Sequence, residues 1–244
     1  MDLCNRNDIQ ALLQRHGFHF SKAMGQNFLI QGWVPRDIAA ACGADEHTGV
    51  LEIGPGIGVL TKELAQRAAK VVSIEVDERL PPLLAETMAG VDNFKLVLQD
   101  VLKVDLRALI EEEFPGMPVA VCANLPYYIT SPIVMKLLGD RLPIQNLTVM
   151  VQKEVADRMQ VGPGTKDYGA LSLAVQYYAK PEIVANVPPN CFIPRPNVGS
   201  AVIRLTVRKT PPCAVRNEAL LFRLIRSAFG QRRKTLPNAL VTAG

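Results

Sequence analysis

The sequence of 244 residues lacks the patterns on which several classes of protein depend. No apolar run is long enough to cross a bilayer, and the polar start at 1–6 is unlike a signal peptide. The five cysteines are scattered without a C-x-x-C pair, which argues against a disulfide framework and against a zinc site. All three histidines fall within the first 47 residues, which leaves little for metal or triad chemistry. We therefore expect a cytoplasmic globular protein that holds no metal.

Charge is unevenly distributed along the chain. The net charge is +4, yet the stretch from Ile203 to the end contains nine Lys or Arg residues and a single acid, Glu218. A terminal segment that binds phosphate has this character, and a solvated basic face without a partner is the alternative. A linker with two prolines occupies 210–212. The expected domains are a large domain at 1–209, of which 1–20 is an extension, and a small helical domain at 210–244.

The stretch V-L-E-I-G-P-G-I-G-V-L-T at 50–61 contains a short apolar run, three glycines and the start of an amphipathic segment. This order predicts a buried parallel strand, a glycine turn beginning at Gly54 and a helix start, which together bring backbone N–H groups to a ligand. The pattern is G-x-G-x-G, because Val59 stands where a dinucleotide fingerprint has its third glycine. Glu75 ends the next apolar run, where an acid can accept both hydroxyls of a ribose. A tight turn without a ligand is the alternative.

Two further polar residues, Asp100 and Asn124, each follow an apolar run. The carboxyl ends of parallel strands meet at one rim of a sheet, and ligands bind at that rim in open α/β folds. We therefore expect both side chains on the same rim as Gly54 and Glu75.

The motif Asn124-Leu125-Pro126-Tyr127 is the one to which we assign the chemistry. It offers an amide oxygen, a backbone carbonyl and a ring face, which are the parts needed to hold a planar base that bears an amine. A turn with a packed tyrosine is the alternative. Phe192 lies in a connection with four prolines, and it is either the second face of a base clamp or a loop aromatic packed on the core.

Periodicity and turn residues predict alternating strands and helices over the rest of the chain, and hence an α/β fold class. The polar segment at 21–29 predicts a loop, and Ser131 is expected to cap the helix that follows it, with Pro132 at the first helical position. The predicted strands are 50–53, 71–74, 94–98, 119–122, 147–151, 183–187 and 201–207. The predicted helices are 8–16, 34–41, 60–68, 77–88, 106–114, 131–138, 153–159, 168–178 and 218–229.

Taken together, these segments resemble the family of small-subunit ribosomal RNA adenine dimethyltransferases, which use S-adenosylmethionine in ribosome biogenesis. The resemblance implies a Rossmann-like class I methyltransferase sheet with helices on both faces, followed by a small C-terminal helical domain. N-L-P-Y is typical of dimethylation of an adenine amine, and Q-R-R-K-T-L of the small-subunit branch. The motifs that carry the resemblance are G-Q-N-F-L (25–29), E-I-G-P-G-I-G-V-L-T (52–61), Glu75, Q-D (99–100), N-L-P-Y (124–127), Q-K-E-V-A-D-R (152–158), Y-G-x-L-S (168–172), V-P-P-x-x-F-x-P-x-P (187–196) and Q-R-R-K-T-L (231–236).

The sequence departs from the family pattern at two places. Gly199 stands where the family usually has Asp, which bears on the rigidity expected of the loop that holds Phe192. The chain ends at Gly244, where the family generally continues with further helices. We therefore expect the helical domain, and its RNA-contacting surface, to be incomplete.

The resemblance also implies a cofactor site. Asn27 and Leu29 would close over the methionine end of S-adenosylmethionine, and Gly54 would approach that end through its backbone. Glu75 would bind the ribose hydroxyls, and Asp100 would bind the adenine amine.

A base site and an RNA surface are implied in the same way. Asn124, which also belongs to the cofactor site, and the Pro126 carbonyl would accept hydrogen bonds from the target amine. Tyr127 and Phe192 would stack on the two faces of the base. The residues expected to bind RNA are Arg232, Arg233 and Lys234.

The implied function is dimethylation of the exocyclic amines of two adjacent adenosines near the 3′ end of small-subunit (16S) rRNA. We expect a monomer that acts on the small subunit or its precursor. Three alternatives stay open. A large-subunit dimethyltransferase of the antibiotic-resistance type shares N-L-P-Y, although Q-K-E-V-A-D-R and Q-R-R-K-T-L argue against it. A nicotinamide-dependent oxidoreductase is disfavoured by Val59, and a non-catalytic assembly factor by the intact Asn124 and Glu75.

Overall fold

A computed structural model describes residues 1–21, 24–231 and 234–241. Arg232 and Arg233, two of the residues expected to bind RNA, lie outside the described residues. Within the described ranges, no helix combines the length and the apolar character that a membrane span needs.

Seven strands form one mixed sheet, and two short strands form a second. The large sheet has the strand order β4-β3-β2-β5-β6-β9-β7, and the small sheet pairs β1 with β8. The first five strands in that order are parallel, whereas β9 is antiparallel to both of its neighbours. The strands are β1 (Phe28–Leu29), β2 (Gly49–Ile53), β3 (Lys70–Glu75), β4 (Phe94–Leu98), β5 (Val119–Asn124), β6 (Asn146–Gln152), β7 (Ala179–Val187), β8 (Phe192–Ile193) and β9 (Ser200–Val207).

Helices connect the strands and cover the large sheet. The ten α-helices of the described ranges are α1 (Arg6–Arg15), α2 (Trp33–Cys42), α3 (Val59–Ala65), α4 (Pro81–Thr87), α5 (Leu106–Glu113), α6 (Thr130–Gly139), α7 (Lys153–Gln160), α8 (Ala170–Tyr178), α9 (Glu218–Gly230) and α10 (Leu236–Val241).

The hydrophobic core lies on both faces of the sheet, which the period-2 alternation of the central strands requires. In β2, Val50 packs with the apolar residues of α1 to α4, whereas Leu51 and Ile53 pack with those of α5 to α8. All five residues of β2 are buried. The central strands are therefore apolar almost throughout, as the sequence predicted, and the α/β class with helices on both faces is confirmed.

The chain reverses its direction of winding at β2, which has β3 on one side and β5 on the other. In an open α/β sheet, the crevice beyond the carboxyl ends of such strands is where a ligand binds. The fold therefore places Glu75, at the end of β3, and Asn124, at the end of β5, on either side of the glycine turn that follows β2.

Three local predictions were wrong. The helix expected from residue 77 begins at Pro81, because Asp77 and Arg79 form a hydrogen-bonded turn before it. Ser131 does not cap α6, since a short 3-10 helix at Tyr127–Ile129 leads directly into Thr130. The segment 21–29 is not only a loop, because its last two residues form β1 and pair with β8.

Candidate functional site

The glycine turn after β2 leaves open space at its first position. Gly54 has φ of +70°, in the left-handed region that favours glycine, and a Cβ added there would meet no atom within 4 Å. Gly56 has φ of +58°, and a Cβ at that position would come within 3.3 Å of the Phe28 ring. The first glycine thus faces a cavity, and the second lets the turn pack against β1.

A cavity of about 860 Å³, including its open mouth, lies above this turn. It is bounded by the glycine turn, by the segment 24–29 and by the N-L-P-Y motif. Eight residues predicted for the cofactor or base site line it, namely Asn27, Leu29, Gly54, Glu75, Asn124, Pro126, Tyr127 and Phe192.

Glu75 is a buried carboxylate held by the backbone that follows it. Its Oε1 accepts hydrogen bonds from the N–H groups of Val76, at 2.8 Å, and Asp77, at 2.9 Å. Burial raises the pKa of the Glu75 carboxyl, while hydrogen bonds from the backbone of Asp77, Val76 and Gly56 oppose the rise. The carboxylate is thus fixed in orientation at the cavity wall and is suited to accept hydrogen bonds from hydroxyl groups.

Asp100 differs from the other predicted cofactor residues, because it is absent from the described lining of the cavity. It follows β4, which lies beside β3, and its Oδ1 accepts a hydrogen bond from the Leu102 N–H at 3.0 Å. Lys103 lies 3.8 Å from its Oδ2. The role of Asp100 toward an adenine amine therefore stays a prediction.

Asn124 ends β5, and its side chain bonds to the segment that contains β1. Its Nδ2 donates to the backbone carbonyl of Asn27 at 3.4 Å. No described residue donates a hydrogen bond to its Oδ1. The amide therefore presents an acceptor at a cavity wall.

The two carbonyls after Asn124 are in different situations. The Pro126 carbonyl accepts from the Ile129 N–H at 3.2 Å and from the Thr130 hydroxyl at 3.1 Å, so both of its lone pairs are used by the following helical turn. The Leu125 carbonyl accepts no hydrogen bond from the described residues, although the Leu125 N–H donates to Met150. Leu125 also lines the cavity. The Pro126 carbonyl, predicted from the sequence as the backbone acceptor, is therefore already engaged, and the carbonyl that the described residues leave free is that of Leu125.

Among the aromatic rings that line the cavity, Tyr127 and Phe192 are the two that were predicted for the base site. The Tyr127 hydroxyl lies 2.7 Å from the Ser200 Oγ, and burial raises the pKa of Tyr127 while this hydrogen bond opposes the rise. Phe192 belongs to β8, pairs with Leu29 and is only 4% exposed. Phe192 thus packs in the core, as one interpretation of the sequence had it, and it also lines the cavity. Its role as the second face of a base clamp stays a prediction.

The sequence analysis did not assign Tyr128 to the site. Tyr128 lines the same cavity, and 60% of its surface is exposed. The signal was present in the doubled tyrosine of N-L-P-Y-Y.

Lys234, the described member of the predicted RNA-binding group, is exposed between α9 and α10 and is not part of the cavity lining.

Comparisons with known proteins agree with this geometry. The model of the ribosomal RNA adenine dimethylase family matches residues 17–244. Ribosomal RNA small subunit methyltransferase A of Lachnoclostridium phytofermentans is 57% identical over 230 residues, which cover 94% of this chain and 79% of that protein. The protein of the same name from Geobacillus thermodenitrificans is 54% identical over 241 residues, or 98% of this chain and 82% of that one.

The solved structures that share the fold include two that are at least 30% identical to this chain. A dimethyladenosine transferase from Plasmodium falciparum has a TM-score of 0.73 and 30% identity, over 87% of this chain and 74% of that one. The 23S rRNA methyltransferase ErmE has a TM-score of 0.68 and 31% identity, over 88% of this chain and 84% of that one.

Proposed function

Because the chain belongs to the ribosomal RNA adenine dimethylase family, we propose that it transfers methyl groups from S-adenosylmethionine to adenosines of small-subunit rRNA. The targets are the exocyclic amines of two adjacent adenosines near the 3′ end of 16S rRNA. The reaction takes place in the cytoplasm during ribosome biogenesis, and the enzyme acts as a monomer on the small subunit or its precursor. The observation that carries the proposal is the pair of open acceptors at Asn124 and Leu125, in the same cavity as Gly54 and Glu75.

The residues present fit the cofactor. Open space at Gly54 admits a ligand against the backbone of the turn, and the buried Glu75 carboxylate provides acceptors for ribose hydroxyls. Asn27 and Leu29 would hold the methionine end, and Asp100 the adenine amine. When bound, the cofactor supplies a methyl group that its positively charged sulfur makes electrophilic.

The residues of this chain would act on the nucleophile, which is the exocyclic nitrogen of the target adenine. The exocyclic nitrogen of adenine donates its lone pair into the ring and is therefore a poor nucleophile. Two acceptors, Oδ1 of Asn124 and the Leu125 carbonyl, would each accept a hydrogen bond from one N–H of the amine. They would draw the nitrogen toward a tetrahedral geometry and free its lone pair, and no general base is needed before attack.

Aromatic side chains would hold the base while this happens. Tyr127 and Phe192 would stack on its two faces, and each stacking contact is worth about 1–3 kcal/mol for an unstacked base. The hydrogen bond to Ser200 fixes the Tyr127 ring before the base arrives, so less entropy is lost on binding. Such a pocket suits a base taken out of its stack.

The basic C-terminal part would hold the RNA. Lys234 is exposed after α9, next to Arg232 and Arg233 in the sequence. We propose that 210–244 is a helical RNA-binding domain and that 1–209 is catalytic. Stacking of Phe222 on Tyr178, with ring centroids 5.3 Å apart, joins α9 to α8.

The test uses labelled S-adenosylmethionine with purified subunits that lack the modification. We expect label in small-subunit RNA, at adenine amines, and none in large subunits. Label in large subunits instead would favour an enzyme like ErmE, and binding without transfer would favour an assembly factor. A variant with Asn124→Ala is the matched control for label that does not depend on the site.

A further inference from the structure

Asp77 lies just beyond the ribose-binding carboxylate and is buried at 5% exposure. Its N–H donates to Oε1 of Glu75 at 2.9 Å. Its own side chain accepts from Gln26 Nε2 at 2.7 Å and from Arg79 Nη2 at 2.6 Å, both through Oδ2. Asp77 therefore contacts the end of β3 through its backbone and the segment before β1 through its side chain.

Gln26 is the residue through which that segment is held. While its Nε2 donates to Asp77, its Oε1 accepts from the Ser21 N–H at 3.1 Å. The amide thus bonds at one end to its own segment and at the other to the turn after β3. Asn27 is the next residue in the chain, and its Nδ2 donates to the Gly25 carbonyl at 3.0 Å, so its side chain bonds within the segment that Gln26 anchors.

Arg79 connects Asp77 to an earlier part of the N-terminal region. It donates through Nε to Oδ1 of Asp77 at 2.8 Å and through Nη1 to the His19 carbonyl at 3.2 Å. The guanidinium carbon lies 4.8 Å from the centre of the Phe18 ring, which in turn packs against Phe28 of β1, with 6.1 Å between the ring centroids. The turn after β3 therefore holds the N-terminal region at two places, near residue 19 and at residue 26.

The charges around Asp77 favour this arrangement. A buried carboxylate needs a partner, and the Arg79 side chain provides one, so the pKa of Asp77 is lowered despite its burial. Gln26 is neutral and contributes a donor without adding a second positive charge. The carboxylate can therefore stay ionised while it accepts the amide.

We propose that Gln26 and Asp77 are positioning residues that fix Asn27 and Leu29 against the strand end that carries Glu75. The proposal rests on the function proposed above. It means that the methionine side and the ribose side of the cofactor site are built as one unit. Gln26 also lines the cavity, whereas Asp77 is absent from its described lining, so the loss of Asp77 would weaken binding through the residues that it holds.

The test compares two ligands by calorimetry, S-adenosylhomocysteine and 5′-methylthioadenosine, the second of which lacks the amino-acid part. Gln26→Glu places a carboxylate against Asp77 and should weaken the binding of S-adenosylhomocysteine by about tenfold or more. Gln26→Ala removes the amide without adding charge, and it should also weaken the binding of S-adenosylhomocysteine. Binding of 5′-methylthioadenosine, which depends on Glu75, should change by less than about threefold.

A reversed pair provides the rescue. In the double variant Gln26→Glu with Asp77→Asn, the new amide nitrogen at 77 can donate to the new carboxylate at 26, and the amide oxygen can accept from Nε of Arg79. The Arg79 Nη2, which loses its acceptor at residue 77, is left to pair with the carboxylate at 26. We expect affinity for S-adenosylhomocysteine to return to within about threefold of the original protein. Glu86→Gln is the matched control, because Glu86 joins α4 to Arg15, the last residue of α1, and to His16, and it is absent from the described lining of the cavity.

The positioning role would be overturned if the single variants lost affinity equally for both ligands. It would also be overturned if the double variant did not recover affinity for S-adenosylhomocysteine. If the original protein bound neither ligand, the proposed function would fail, and this proposal with it. Should a single variant fail to fold, the double variant and Gln26→Ala still decide the question.

Discussion

The side-chain Nδ2 of Asn124 donates to the backbone carbonyl of Asn27 at 3.4 Å, and this bond ties the end of β5 to the segment that leads into β1. Because the donor of the amide is used in this way, its oxygen is the group left for a substrate. The contact therefore fixes which atom of Asn124 would face the target amine in the proposed mechanism.

Replacing Asn124 with Ala should lower turnover while cofactor and subunits still bind. An acceptor that is used most strongly as the amine becomes tetrahedral affects the transition state more than the ground state. Losing one such preorganised group costs about two to three orders of magnitude in rate. Single-turnover transfer and S-adenosylhomocysteine binding should be measured on the same preparation. Near-normal turnover with weakened subunit binding would make Asn124 a docking residue.

Replacing Glu75 with Ala should weaken cofactor binding by at least about tenfold, since hydrogen bonds to a charged group are worth about 1.5–3 kcal/mol each. The fold should survive, because the Glu75 side chain bonds to backbone N–H groups alone in the described structure, those of the turn that follows it and that of Gly56. Calorimetry with S-adenosylhomocysteine measures the effect, and circular dichroism checks the fold. Unchanged affinity in a folded variant would contradict the placement of the ribose.

The Tyr127 ring and the Tyr127 hydroxyl should be separable. Tyr127→Phe keeps the ring but loses the hydrogen bond to Ser200, so we expect a fall in kcat/KM of less than about tenfold. Tyr127→Ala removes stacking worth about 1–3 kcal/mol and should reduce kcat/KM further. Ser200→Ala is the matched control for the hydroxyl and should resemble Tyr127→Phe. Equal activity of all three variants would show that the ring does not hold the base.

Neutralising Arg232, Arg233 and Lys234 should weaken subunit binding and flatten its salt dependence. The slope should fall by about 0.7–0.9 for each phosphate contact that is lost. Binding of S-adenosylhomocysteine should not change, because Lys234 does not line the cavity in the described structure. A salt slope that stays the same would mean that this basic stretch is a solvated face.

Stability should depend on pH through Glu52, which is buried in β2. Its Oε2 accepts from the hydroxyls of Thr61 and Ser73, whereas Oε1 has no partner among the described residues. Burial raises the pKa of Glu52 to about 7, from an ordinary value of 4.5, and the two hydroxyls oppose the rise. Because the folded state binds the proton more tightly, this contribution to stability is present below pH 4.5 and is lost as the pH rises to about 7.

Glu52→Gln should remove that dependence. The free energy of unfolding of the variant, minus that of the original protein, should rise between about pH 4.5 and pH 7 by roughly 2–4 kcal/mol. Urea denaturation at a series of pH values measures the difference, in which the other titrating groups cancel. A difference that stays flat across this range would mean that Glu52 is ionised in the folded protein at all of these pH values.

The sequence was sufficient where a long periodic segment or a glycine turn decides the structure. The strand before Gly54, the acid at Glu75 and the strand that ends in Asn124 were all found, because fully buried parallel strands are continuous apolar runs with distinct ends. The three residues were correctly placed on one rim, since the carboxyl ends of parallel strands share it.

Contacts between distant segments were not predictable in the same way. Strands of two residues, such as those that contain Leu29 and Phe192, are too short to show a period. Acidic residues at 77 and 78 are typical of the first turn of a helix, but α4 begins at Pro81. The Asp77 side chain instead accepts hydrogen bonds from Gln26 and Arg79. Which of the carbonyls of Leu125 and Pro126 is free to accept a hydrogen bond depends on which one the next helical turn engages. That contact is set by the three-dimensional structure and leaves no signal in the sequence.

The pairing of β1 with β8 has a consequence for synthesis of the chain on the ribosome. Phe28 emerges early, but its partner Ile193 is made only after most of the large sheet. A nascent chain that ends before residue 193 can form the glycine turn and the first parallel strands, yet it lacks the strand against which Leu29 is held. Contacts of such high sequence separation form late and slowly. The nascent protein should therefore gain its full affinity for the cofactor in one late step, when β8 leaves the exit tunnel.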